Sequence, residues 1–125
     1  MNSSRFEFLR QCIADERKYW YLAGPYSGNE DYNHSEHERA LFALLKAEVW
    51  TYSPIVHCHA LAHKYKLPTN AAFWQQYNEV MIQNSFGLIV YELPNWQKSK
   101  GTIAEITFAD DRRMPIETIT LSDVP

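Results

Sequence analysis

The sequence predicts an α/β protein built on a small parallel sheet of four to five strands with helices on both faces. Three observations lead there. Strand-like and helix-like segments alternate from residue 18 to the end of the 125-residue chain. FGLIVYEL (86–93) is strongly strand-like, and KYWYLAG (18–24) reads as a second, buried strand. The segments between such strands repeat apolar residues every three to four positions, the period of a helix with one covered face.

In chain order, residues 4–16 place Phe6, Leu9, Ile13 and Cys12 on one stripe of a short amphipathic helix. Residues 1–17 thus read as an N-terminal helical addition to an α/β domain of residues 18–125. After the first strand, GPYSGNEDYN (24–33) is a loop dense in turn residues. A helix over 35–49 follows, with Ala40, Leu41, Leu44, Leu45 and Val49 as its apolar face and Ser35 and Glu38 spaced as a capping box. WTYSP (50–54) is a second short strand. VHCHALAHKYKLP (56–68) is less regular, with a helical turn or two that Pro68 ends. Over 70–83 the spacing of Phe73, Trp74, Tyr77, Val80 and Met81 predicts a core-facing helix. A strand over 86–92, a turn at Pro94-Asn95-Trp96, a helix over 99–113 and a strand PIETITL (115–121) complete the chain.

This order is that of a small Rossmann-like, flavodoxin-like doubly wound sheet, which binds ligands at the carboxyl ends of its strands. The loops 24–33 and 94–101, distant in sequence, both fall at that edge.

Composition narrows the function. The chain carries a net charge of −3, without the basic excess that binding a nucleic-acid polymer requires. Apolar residues make up 46% and charged residues 22%, as in an ordinary globular protein. Eight Tyr and four Trp exceed what a core of this size needs, so some are expected to stack on planar rings in a pocket. Cys12 and Cys58 lack metal-type or redox-type spacing and read as free thiols of a reducing compartment. No apolar run approaches the roughly 20 residues of a membrane span, and the first twenty residues carry charges where a signal peptide is apolar. A soluble, cytoplasmic protein that does not bind membranes is expected.

The chemistry concentrates in Ser99-Lys100-Gly101-Thr102-Ile103-Ala104-Glu105. Ser99 can cap the helix, Gly101 lets a ligand approach the backbone, and the first-turn N–H groups favour an anion. Glu105 has no Lys or Arg three or four residues away, so it faces either solvent or a polar pocket. Gly24, Pro25, Tyr26 and Ser27 form a loop able to cradle a phosphate or a sugar edge, although the dinucleotide glycine fingerprint is missing. Arg39 could add a cation to such a site. His57, His59 and His63 form the run HCHALAH, in which His59 and His63 share a helical face; metal binding is one reading, hydrogen bonding to substrate another.

These motifs resemble those of the nucleoside 2-deoxyribosyltransferase-like superfamily, most closely its small nucleotide N-glycosidase branch. The resemblance spans about residues 18–121. It rests on YLAGPYSG (21–28), SPIVHCH (53–59), the helix bearing Trp74, and Ser99-x-Gly101-x-x-x-Glu105, the most specific of the four. It implies that Glu105 is a nucleophile attacking the anomeric carbon and that Tyr21 orients it. It further implies that Ser99, in place of the Asp of nucleoside transferases, receives a 5′-phosphate with Gly101 and Thr102 beside it. Tyr26, Trp74 and Trp96 would enclose the base. Relatives carry an Asp near positions 77–79 to protonate the leaving base; here the residues are Tyr77-Asn78-Glu79, which leaves Glu79, or else His57 or His59, as the acid.

The reaction expected is hydrolysis of a (deoxy)nucleoside 5′-monophosphate, without a cofactor, in a homodimer or tetramer such as relatives use to complete their pockets. A nucleoside deoxyribosyltransferase, a catalytically impaired nucleotide-binding module and a His-based metal hydrolase are the alternatives.

Overall fold

A computed structural model describes residues 3–125, so the first two residues of the expected N-terminal addition lie outside the described part. The elements run α1 (Ser3–Cys12), β1 (Trp20–Ala23), α2 (Glu30–Lys46), β2 (Thr51–Tyr52), α3 (Pro54–Tyr65), α4 (Ala71–Gln83), β3 (Gly87–Tyr91), α5 (Lys100–Asp111) and β4 (Ile116–Ile119). Short 3-10 turns occupy Trp96–Lys98 and Leu121–Asp123. The four strands form one sheet in the order β2-β1-β3-β4, and every pairing is parallel. The chain is therefore a small doubly wound α/β domain, as its alternating segments predict.

β1 and β3 are buried along their whole length because helices cover both sheet faces. Alternation sorts their side chains. Trp20, Leu22, Ile89 and Tyr91 join Phe6 and Leu9 of α1 and Ala40 and Leu44 of α2 in one core. Tyr21, Ala23, Leu88 and Val90 meet Ile82 of α4 and Ala109 of α5 in the other. The N-terminal helix shares the first of these cores: the Trp20 indole N–H donates to the Leu9 carbonyl at 3.0 Å.

Three expectations need correction. The second helix begins at Glu30, not at residue 35, so Ser35 and Glu38 lie within it and form no cap. Glu30 and Asp31 instead put acidic groups at the positive end of the helix dipole, directly after Gly28 turns the chain at φ 94°. Residues 56–68 are not irregular. A full helix starts at Pro54, with the Ser53 side chain accepting from the Val56 N–H, and it stops at Lys66, whose backbone is left-handed. Finally, the apolar stripe of the 70–83 helix faces the core at Met81 alone. Phe73, Tyr77 and Val80 are 49%, 38% and 53% exposed, and it is Ile82 that is fully buried. Three-to-four spacing shows that residues share a stripe but not what lies across from it.

Among the described residues, no helix is long and apolar enough to cross a membrane. The β3–β4 pair is close enough that a Cβ on Gly87 would lie 2.3 Å from the Pro115 carbonyl oxygen. That oxygen belongs to the backbone and accepts from the Leu88 N–H, so no side-chain rotation relieves the clash. Gly87→Ala is expected to lower stability by roughly 1–3 kcal/mol, read as a lower urea midpoint.

Candidate active site

The sheet order places β2 and β3 on opposite sides of β1, so the loops leaving β1 and β3 diverge at their carboxyl ends. A cavity of about 580 Å³ opens there. Its walls come from four segments. The loop after β1 contributes Gly24, Tyr26 and Ser27, and α3 contributes Ile55, Cys58, His59 and Ala62. The approach to α4 and that helix contribute Asn70, Trp74 and Asn78, and the start of α5 contributes Lys98 through Gly101 with Glu105. A smaller cavity of about 260 Å³ shares Asn78, Lys100, Gly101 and Glu105 with it and adds Gln75 and Glu79.

Glu105 stands where the two cavities meet. Gly101 lies four residues earlier on the same helical face, so no side chain intervenes between the first turn of α5 and the carboxylate. Tyr21 projects from β1 toward α5, and its hydroxyl donates to Glu105 Oε2 at 2.5 Å. Among the described residues no cation pairs with Glu105. Burial therefore dominates and raises its pKa to about 8, while the Tyr21 hydrogen bond pulls the other way. Tyr21 is itself pushed well above the ordinary phenol value, first by burial and then by the Glu105 charge. Glu105 is thus the group of the pair that titrates near neutrality, the behaviour expected of a carboxylate placed for chemistry.

Ser99 caps α5, accepting from the Thr102 N–H at 3.3 Å and from the Thr102 hydroxyl at 2.9 Å. Both contacts use its lone pairs and leave its own proton for a ligand oxygen. Lys98 and Lys100 flank it on the cavity wall. A helix N-terminus, a hydroxyl and two ammonium groups together suit an anion.

Across the cavity, the Tyr26 hydroxyl meets His59 Nδ1 at 2.7 Å, and Ser27 donates to the Thr69 carbonyl at 3.1 Å. The Trp74 indole N–H donates to the Pro68 carbonyl at 2.8 Å, which holds the ring at the cavity wall. His59 has a lowered pKa because it is partly buried and lies beside His34 and His63. Beneath the β1 loop, His37 is fully buried, neither ring nitrogen makes a hydrogen bond of good geometry, and burial lowers its pKa to about 3 against a smaller opposing pull from the Pro25 backbone. A Cβ on Gly24 would come within 2.8 Å of that ring, so glycine is needed for the loop to lie on it.

The structure brings together Glu105, Tyr21, Ser99, Gly101, Gly24, Tyr26, Ser27, His59 and Trp74, with Glu79 on the smaller cavity. Five expected site residues lie elsewhere. Arg39 is occupied by the Pro125 carbonyl at 2.6 Å and by Glu36 at 3.1 Å, because the earlier start of α2 turns it away from the loop. His57 is exposed beside Tyr52, since the full helix α3 puts it on a different face from His59. Trp96 packs against the core under α5 instead of lining the cavity. Pro25 is buried, and Thr102 is buried behind Ser99.

Sequence reasoning passed over Asn78, Cys58, Lys98 and Lys100. Asn78 lies four residues after Trp74, on the same helical face, and its side-chain oxygen is buried without a partner. Ile55, Cys58, His59 and Ala62 keep the i, i+3, i+4, i+7 pattern of one helical face, hidden while the segment reads as irregular.

Fold and site together define a small parallel α/β domain with a carboxylate-bearing cavity at its switch point. The chain belongs to the family described as Domain of unknown function (DUF1937), whose model matches residues 18–120. No curated protein and no solved structure matches it.

The raised pKa of Glu105 has a consequence for stability. Below pH 4.5 the carboxyl is protonated whether folded or unfolded; between 4.5 and about 8 the folded chain keeps a proton that the unfolded chain loses. Stability from this group is complete at the acid end and is lost as pH rises through about 8. Glu105→Gln, which never ionises, is expected to raise Tm over wild type at pH 9 by more than at pH 4.

Proposed function

We propose that this protein hydrolyses the N-glycosidic bond of a (deoxy)nucleoside 5′-monophosphate, with Glu105 as nucleophile. The observation that carries the reading is one helix, α5, bearing an N-terminus suited to an anion at Ser99 and a half-buried, cation-free carboxylate at Glu105 on the same cavity. Six residues of helix span about 9 Å, which suits a ligand held by its phosphate at Ser99 with its anomeric carbon near Glu105. The resemblance of Ser99-x-Gly101-x-x-x-Glu105 to nucleotide N-glycosidases supports the same assignment.

In this reading a Glu105 oxygen attacks the anomeric carbon, and the bond to the base breaks with its electron pair leaving on the base. The base takes up a proton. Water then attacks the anomeric carbon, gives up a proton to the group that protonated the base, frees the Glu105 carboxylate and yields the sugar phosphate. Tyr21 holds the attacking carboxylate and lowers its pKa. The Asn78 amide can hydrogen-bond the base but cannot protonate it. Glu79, which borders the smaller cavity with Glu105 and accepts from Gln75 at 3.0 Å, is the nearby carboxyl group for that task.

Screening nucleoside 5′-monophosphates against the matching nucleosides tests the reading. Free base is expected from the phosphorylated compounds, and Glu105→Ala is expected to lower kcat by about 10³-fold or more. Failure of every monophosphate to release base, with Glu105→Ala equal to wild type, would end it. Ser99→Asp should reverse the preference for phosphate, because its charge repels the ligand. The kcat/KM profile should rise with pH and level off above about 8, as the free carboxylate forms. Tyr21→Phe removes a hydrogen bond that favours the charged form, so the rise should move to higher pH.

Asn78 gives a specific ground for a second reading, a nucleotide-binding module without turnover. Asn78→Asp distinguishes the two. It should raise base release by roughly 10²-fold in a hydrolase limited by protonation of the leaving base, whereas calorimetric binding with no release from either variant favours the module.

A further inference from the structure

Outside the Glu105 chemistry, a second group of side chains gathers around His59, on the wall of the large cavity. α3 carries His59 and His63 one turn apart, with ring centres 4.2 Å from each other. Asp31, from the first turn of α2, brings Oδ1 to 3.7 Å from His59 Nε2. One possible ligand atom from each of the three lies within 4.8 Å of the other two. We propose that Asp31, His59 and His63 bind a divalent transition-metal ion of the zinc class.

The donor set selects the ion. Two imidazoles and one carboxylate match zinc and its neighbours, whereas calcium and magnesium take oxygen ligands. A tetrahedral ion bonded at about 2.0 Å separates its ligand atoms by roughly 3.3 Å. Small rotations of His63 and Asp31 reach that spacing, since both are exposed and the Asp31 side chain is 92% accessible.

The orientation of His59 is already set. With Nδ1 engaged by the Tyr26 hydroxyl at 2.7 Å, the other ring nitrogen is left pointing at Asp31. An outer partner of this kind locks the imidazole and its tautomer in protein metal sites. The same helix excludes the expectation that His57 joins the group, because His57 stands beside Tyr52 on another face. Of the three, only His59 lines the large cavity, so the ion would sit beside that cavity.

The proposal does not rest on the glycosidase reading, and its test reads metal binding and not base release. Tag-free, chelator-treated full-length protein would be titrated with Co²⁺, followed by displacement with Zn²⁺. One equivalent of Co²⁺ should bind with d–d bands of nitrogen and oxygen ligation, and Zn²⁺ should bleach them and raise Tm. His63→Ala and Asp31→Ala, both at the surface and checked for fold by circular dichroism, should weaken binding by roughly 100-fold or more, and Tyr26→Phe by roughly 10-fold. His57→Ala should bind as wild type. Absence of stoichiometric binding overturns the proposal, as does binding that survives both His63→Ala and Asp31→Ala. So does a thiolate-to-cobalt charge-transfer band, which would put the ion on Cys12 or Cys58.

Discussion

The parallel ladder that pairs Trp20 through Ala23 with Gly87 through Val90 decides where the rest of the molecule goes. Because the two strands run the same way, their carboxyl ends open on one edge. Because β2 pairs with the other side of β1, the connections from β1 and β3 leave that edge in different directions, and the gap between them is the cavity. The register matters to a single residue. Alternation along β1 sends Trp20 and Leu22 under α1 and α2 and sends Tyr21 under α5. A slip by one position would replace the phenol beside Glu105 with an indole or an isobutyl group.

The site draws on stability that the two cores supply. A half-buried carboxylate without a cation disfavours the folded state whenever it is charged, and the fully buried ring of His37 adds a second polar group out of water. Each is offset only in part, by the Tyr21 hydroxyl and by the Pro25 backbone. Both sit against β1 and its loop, where a strand buried along its whole length and its apolar packing can hold such groups in place.

Much of this was legible in the sequence, for physical reasons that differ from element to element. The buried strands announce themselves because a strand covered on both faces must be apolar throughout, and Glu105 stands out because nothing nearby in sequence can neutralise it. The start of α2 is obscured because Gly28, Glu30 and Asp31 serve both a loop and a helix N-terminus. Segment 54–65 is obscured because its three histidines mask a helical period. His57 and Arg39 are misassigned for related causes: a helix over 54–65 fixes the face on which His57 stands, and a start at Glu30 leaves Arg39 more than two turns from the N-terminus of α2. Asn78 shows the opposite case. Its position follows from Trp74 by helical spacing, but its buried, unpartnered oxygen is visible only once the cavity exists.

Arg5 gives α1 a further consequence. Its Nε and Nη2 both donate to the carbonyl of Thr118, at 3.0 and 2.8 Å, and Nη2 also pairs with Glu117 at 3.0 Å. In β4 the carbonyls of Pro115 and Ile119 point inward to β3, so that of Thr118 points outward, along the open rim of the sheet. There it would otherwise offer an acceptor to a strand from another molecule. The guanidinium occupies it, while the opposite rim, β2, is only two residues long. Growth of the sheet from one chain into the next is discouraged at both ends.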